Sequence, residues 1–238
     1  MYAILHQLKK EEQARLLFIL YGPLHRGKLI WNMICENTAA DFDQLKHCFG
    51  EFGAMLSFLT IKGTEGNFLC HGTRAKNHAM QVFDWMISEP ADWLVENIAC
   101  VIYAAGWDFM KTFLVFKAIN LEIGEIVALL TSLCLLLVKI KEDVSRLLDL
   151  MRCVLDTMNK DKRYLLIDQL SSSFNYVFLD MQPELNDRQS EFLFVLEAQA
   201  SFLRALLVGL FDEKPLSPIL AAKRPRNDRE LRPLKQRK

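Results

Sequence analysis

The sequence predicts an all-α fold: a single multi-helix, bundle-like domain around a long central helix, followed by a disordered basic C-terminal tail. Three observations predict it. Between Ile123 and Met158, apolar residues recur at Ile126, Leu130, Leu133, Leu137, Ile140, Val144, Leu147, Met151, Val154 and Met158. Those steps of four and three keep one seam facing one way along a helix about 50 Å long. Sixteen Phe against ten Gly and seven Pro suit packed helices better than a turn-rich β fold. Phe42–Leu59 carries the same three-four spacing, the last helix sets Phe192, Val195, Phe202, Leu206 and Leu210 on one face, and no convincing pair of strands and no internal repeat stands out.

In chain order, a first helix is expected over residues 3–21, ended by Gly22-Pro23, before a short apolar segment, Leu29–Cys35. Asn37-Thr38 and Asp41 resemble a helix cap. They lead into a helix with Phe42, Leu45, Phe49, Phe52, Leu56 and Leu59 on one face. Gly63, Gly66 and Gly72 mark Lys62–Thr73 as a loop. A helix follows from Arg74 to Ile87, and Ser88-Glu89-Pro90 opens the next one, where proline's missing N–H costs nothing. Gly106 bends or breaks that helix before Trp107–Ile119.

The central helix, 123–158, has an uncharged N-terminal half that needs cover on every side. Its C-terminal half turns Lys141, Glu142, Asp143, Arg146, Asp149 and Arg152 away from the seam, toward water. Polar residues 159–162 connect to helices at 163–181 and 187–211, parted by Pro183. Residues 1–212 are read as the helical domain and 213–238 as the tail.

Net charge is zero, but residues 223–238 hold eight Lys or Arg and two acids, a net of +6, which leaves a body of −6. The longest uncharged run in the central helix, Ile126–Val138, has thirteen residues, short of the roughly 20 that span a bilayer, so no membrane span is expected. Cys35, Cys48, Cys70, Cys100, Cys134 and Cys153 fall mostly in apolar helical patterns, and no signal peptide opens the chain. Both favour free thiols in a reducing compartment.

The tail carries the most specific signal. Lys223-Arg224, ten residues, then Lys235-Gln236-Arg237-Lys238 resembles a bipartite nuclear localisation signal, and Lys223-Arg224-Pro225-Arg226 also fits a single-cluster form. The resemblance implies a nuclear import receptor as partner and a nuclear protein with a cytoplasmic pool. A second reading is a basic arm that binds nucleic-acid phosphates. Ser217-Pro218 is a candidate phosphosite, where a phosphate would add about −1.5 to −2 charges beside the basic cluster.

No catalytic, cofactor or metal site is expected. His47-Cys48, Cys70-His71 and His78 lack paired zinc-ligand spacing, and neighbouring residues on a helix diverge by about 100°. Gly72-Thr73-Arg74-Ala75-Lys76 offers a helix cap rather than a phosphate loop. No nucleophile elbow, zinc-protease motif or dinucleotide fingerprint occurs.

Trp93 with Gly106-Trp107-Asp108-Phe109 resembles the second homology region of Bcl-2-like proteins. That implies a viral host-modulating helical protein whose apolar groove accepts a partner helix. The first homology signature, Asn-Trp-Gly-Arg, is missing. Core packing is the preferred use of these aromatic residues. The functional expectation is therefore a non-enzymatic nuclear protein that acts through contacts with an unidentified protein partner.

Overall fold

The computed structural model describes residues 7–22, 24–25, 28–29, 34, 42–62, 73–89, 93–181 and 189–211. Among them are nine helices: α1 (Lys10–Tyr21), α2 (Phe42–Lys62), α3 (Thr73–Ser88), α4 (Val95–Ala104), α5 (Trp107–Ile119), α6 (Ile123–Lys139), α7 (Arg146–Thr157), α8 (Lys160–Met181) and α9 (Gln189–Phe211). A two-residue antiparallel pair, β1 (Leu24–His25) with β2 (Lys28–Leu29), lies between α1 and α2. The all-α expectation holds. This small pair is an element that the alternation pattern is too short to signal.

The helices form two layers. In one, α1 packs on α3, α3 on α5, α5 on α7 and α7 on α9; in the other, α2 packs on α4, α4 on α6 and α6 on α8. Each in-layer neighbour is the next helix but one, so the chain builds an array rather than a bundle around one axis. Aromatic clusters fill the space between elements. Phe18 and Phe52 meet at 6.2 Å, and Trp93 lies 5.9 to 6.4 Å from Phe18, Phe49 and Phe52. Phe83 of α3 sits edge-on to Phe109 and Phe113 of α5, while Phe174 and Phe178 of α8 face Phe202 and Phe192 of α9. Such ring pairs add to the burial of large apolar area.

The long central helix is corrected. The chain leaves α6 at Lys139 and re-enters helix at Arg146, and α7 packs chiefly on α5 and α9, in the other layer. Lys141 takes a left-handed backbone, φ 60°. The Glu142 N–H then donates to the Leu137 carbonyl at 2.8 Å and the Lys141 N–H to Val138 at 3.0 Å. This closes the helix with paired C-terminal turns. Asp143 accepts from the Ser145 N–H at 2.9 Å, which starts the next turn. The apolar spacing runs through this break because both helices bury that side: Leu137, Val144 and Leu147 are all buried.

The helix before α6 ends the same way. Leu121 has φ 63°, the Glu122 N–H reaches the Lys117 carbonyl at 3.1 Å, and the Leu121 N–H reaches Ala118 at 3.1 Å. Gly106, φ 93°, separates α4 from α5 as expected. At α8, Asn159 accepts from the Lys162 N–H at 3.0 Å, so the polar connection serves as the N-terminal cap.

Candidate interaction surface

Two features of the array concern function: a cleft and a buried charge cluster. The cleft, of about 770 Å³, opens between the α6–α7 turn, α7 and α9. Val144 and Leu148 supply apolar lining, with Lys141, Arg152 and Arg204 against Glu142, Asp143, Asp149 and Glu197 around them. Of the charged residues expected to meet water, Lys141, Asp143, Arg146, Asp149 and Arg152 are exposed, whereas Glu142 is half-buried.

One wall of this region is fixed by a small network. The Arg146 guanidinium lies over the Trp107 ring at 4.3 Å and reaches Glu142 at 3.5 Å. Glu142 in turn accepts from the Tyr103 hydroxyl at 2.5 Å. Burial and the adjacent Glu142 carboxylate push the Tyr103 phenol up to about 12. Hydrogen bonds from the Ser145 hydroxyl and N–H hold the Asp143 carboxyl below its ordinary value. The α4 end, the α5 start and the α6–α7 turn are thereby tied together.

The buried cluster is centred on Lys117, whose side chain is 2% exposed. Its ammonium donates to Glu122 at 2.5 Å and Glu125 at 2.6 Å, and pairs with Asp84 of α3. Burial works against the charge, but the three carboxylates outweigh it and hold the ammonium above its usual pKa. Asp84, Glu122 and Glu125 are grouped closely enough to resemble a metal site. The ammonium already sits among them, so the cluster acts as an internal salt link between α3, α5 and α6.

Sequence reasoning passed over Lys117. The available signal is a lysine within the apolar face Phe113–Phe116, followed by Glu122 and Glu125. It also did not foresee Arg146 on Trp107, a contact between residues 39 positions apart.

Of the residues singled out by sequence, Lys223, Arg224, Pro225, Arg226, Lys235, Arg237, Lys238 and Ser217 lie outside the described residues, as do Cys35, Cys70 and His71 and the Lys62–Thr73 glycines. His78 bonds Gln13 of α1 at 2.9 Å. Cys100 and Cys134 are buried free thiols, both pushed up to about 12 by burial, and Cys153 is half-buried. No helix among the described residues is long and apolar enough to cross a membrane.

A stack in which each helix rests on the next but one is the arrangement of helical-repeat solenoids. A family model described as FBXO47, ARM repeats, matches residues 1–177. The chain belongs to this FBXO47 ARM-repeat family. It is 26% identical over 208 residues to F-box only protein 47 of Mus musculus, covering 82% of this chain and 43% of that protein. Against F-box only protein 47 of Homo sapiens it is 25% identical over 127 residues, 51% of this chain and 25% of that protein. The chain thus spans less than half the length of these curated relatives. No solved structure matches it.

The family match corrects two expectations. ARM repeats are present where no internal repeat was expected. The periodicity lies in stacking, while helix lengths of 10, 13, 17 and 12 residues for α4 to α7 obscure it in sequence. The Bcl-2 resemblance gives way to this family. Trp93 belongs to the Phe18–Phe52 cluster, and Trp107 is covered by Arg146. Membership in an ARM-repeat family, with an all-helical array, supports a role in protein–protein contact.

Proposed function

We propose that this chain is a non-enzymatic adaptor that holds a protein partner on its helical array and enters the nucleus through its basic tail. The observation that carries the adaptor role is the two-layer stack of an ARM-repeat family member, because stacked helices present extended, rigid surfaces. The cleft of α7 and α9 is the proposed seat. Its charges of both signs suit a polar polypeptide segment, and its Val144 and Leu148 floor supplies apolar contact.

Capture with the full chain and with an Asp149→Arg, Arg152→Glu variant tests this, followed by reconstitution of the retained protein in purified form. A partner that binds the wild type at least tenfold more tightly than the equally folded variant is expected. Equal affinity for both would remove the cleft from the account.

The nuclear part rests on the net charge of +6 in residues 223–238 and the bipartite spacing. Ala at Lys223, Arg224, Lys235, Arg237 and Lys238 is expected to abolish nuclear accumulation of a large fluorescent fusion. The fusion must be large because a chain of 27.5 kDa can diffuse through pores unaided. Undiminished accumulation would end that reading. Binding of the tail to nucleic acid is the second reading, and it predicts an affinity that falls steeply with salt.

A further inference from the structure

Three of the four carboxylates that line the cleft of α7 and α9 are already held from within. Glu142 accepts from Tyr103 and Arg146, Asp143 accepts from both the N–H and the hydroxyl of Ser145, and Asp149 pairs with Arg152 at 3.3 Å. Lys141, Glu197 and Arg204 line the same cleft and are exposed, and their side chains make no hydrogen bond or ion pair with another described residue. The small Ser201 and Ala205 share the cleft face of α9 with Glu197 and Arg204 and leave room between the walls. Two cations and one anion therefore wait for an occupant that brings two carboxylates and a base, with an apolar side chain for Leu148.

The chain itself carries this set. Arg226-Asn227-Asp228-Arg229-Glu230-Leu231-Arg232 contains the two acids of the stretch 223–238, among three arginines and next to a leucine. Its three arginines and two acids give +1, against −1 for the four carboxylates and three cations of the cleft. Reach is ample. Asp228 lies 17 residues beyond Phe211, the end of α9, which spans up to about 55 Å when extended. Arg204 stands seven residues before that end, about 10 Å along the helix. A segment tethered this way is present at an effective concentration on the order of millimolar, so a few contacts suffice.

We propose that residues 226–232 occupy the cleft of their own chain, with Asp228 and Glu230 on Lys141 and Arg204, so that tail and partner compete for one seat. Arg204 can take a carboxylate through two parallel N–H donors, Lys141 through its ammonium. Glu197 is left for one of the flanking arginines. Docked there, the segment holds Lys223-Arg224 and Lys235–Lys238 against the body on either side of it, and a partner that takes the cleft releases both basic clusters. This coupling of import to partner binding rests on the adaptor and nuclear readings, whereas the docking itself does not.

Hydrogen exchange by mass spectrometry on the full chain tests it, with a synthetic peptide of residues 220–238 giving the unprotected rate. Amides of 227–232 are expected to exchange at least tenfold more slowly in the full chain than in the peptide, at a rate independent of protein concentration. Asp228→Asn with Glu230→Gln should remove that protection, as should Lys141→Gln with Arg204→Gln. Both pairs of changes widen the charge difference between tail and body, so a general attraction of the +6 tail to the −6 body would instead strengthen docking. Positions 141 and 204 are exposed, and circular dichroism verifies that the fold is kept. Exchange at the peptide's rate in the wild type would overturn the proposal, as would protection that survives either pair of changes. Protection that grows with protein concentration would overturn it too, because the occupant would then be the tail of a second copy. A partner that still discriminates the Asp149→Arg, Arg152→Glu variant, while the tail exchanges at the peptide's rate, would leave the adaptor reading standing and this one fallen.

Discussion

The backbone of Ala104 passes so close to Gly53 that a Cβ on the glycine would stand 2.6 Å from the Ala104 carbonyl carbon. Helices α2 and α4 therefore touch backbone to backbone at this point, and only glycine fits. Gly53→Ala should destabilise the fold by about 1–3 kcal/mol, the range for overpacking that rigid backbone cannot relieve. Gly50, one turn earlier, has open space around its missing Cβ. Gly50→Ala should instead stabilise, by up to about 1 kcal/mol of helix propensity. Urea denaturation of the two variants checks the pair, and the same sign for both would contradict the α2–α4 approach.

Lys117 should matter more than an ordinary surface lysine. Lys117→Met leaves Asp84, Glu122 and Glu125 facing one another without a cation. Breaking a buried pair costs about 3–5 kcal/mol. The carboxylates here are 27%, 29% and 57% exposed, so solvent screening brings the expected loss to about 2–4 kcal/mol. The ammonium's pKa is raised in the folded state, so its contribution is fully present below the unfolded lysine value of about 10.4. It is lost as pH rises through the higher folded value. The stability difference between wild type and variant should be flat from neutral pH to about 10 and shrink above it.

Leu137 is fully buried in α6, whereas Lys141 lies exposed in the turn that follows. Leu137→Ala should cost about 2–5 kcal/mol through lost contacts and a cavity. Lys141→Gly should stabilise by about 0.5–1 kcal/mol, because glycine adopts φ 60° without the clash a Cβ suffers, though part of the gain is offset in the unfolded chain. Denaturation midpoints at unchanged slope give both values.

The thiols differ in access. Brief alkylation of the native chain with peptide mapping should label Cys153 well before Cys100 or Cys134, which are 7% and 1% exposed. Equal labelling would mean that α4 and α6 are not packed as described.

Much of the fold was legible from periodicity and helix breakers. The three-four spacing located α2 and, as one helix, the span of α6 and α7; glycine, proline and polar breaks outlined the others, and Gly106 marked the α4–α5 boundary, although α4 begins at Val95 rather than at Ser88-Glu89-Pro90. The spacing failed at residues 140–145, because two helices in different layers bury the same side of the chain and it passes through their turn without a slip. Asp143 and Ser145 were the local signal for a new helix start, hidden among charges that also suit a solvent face. The cleft was half visible: the charged positions on 141–152 were placed in water, but the opposing Glu197 and Arg204 come from α9, more than 40 residues away, and no local pattern joins them. The stack itself was invisible for the same reason, since its repeat is one of neighbours in space.

The adaptor proposal rests on the two-layer stack, in which α6 and α7 are separate helices in different layers. Hydrogen exchange by mass spectrometry, at residue-level resolution, measures this directly. Amides of 127–139 and of 150–157 should exchange slowly, while those of Asp143, Val144 and Ser145, outside either helical ladder, exchange orders of magnitude faster. Continuous protection from residue 127 to residue 157 would restore a single long helix and contradict the layered arrangement.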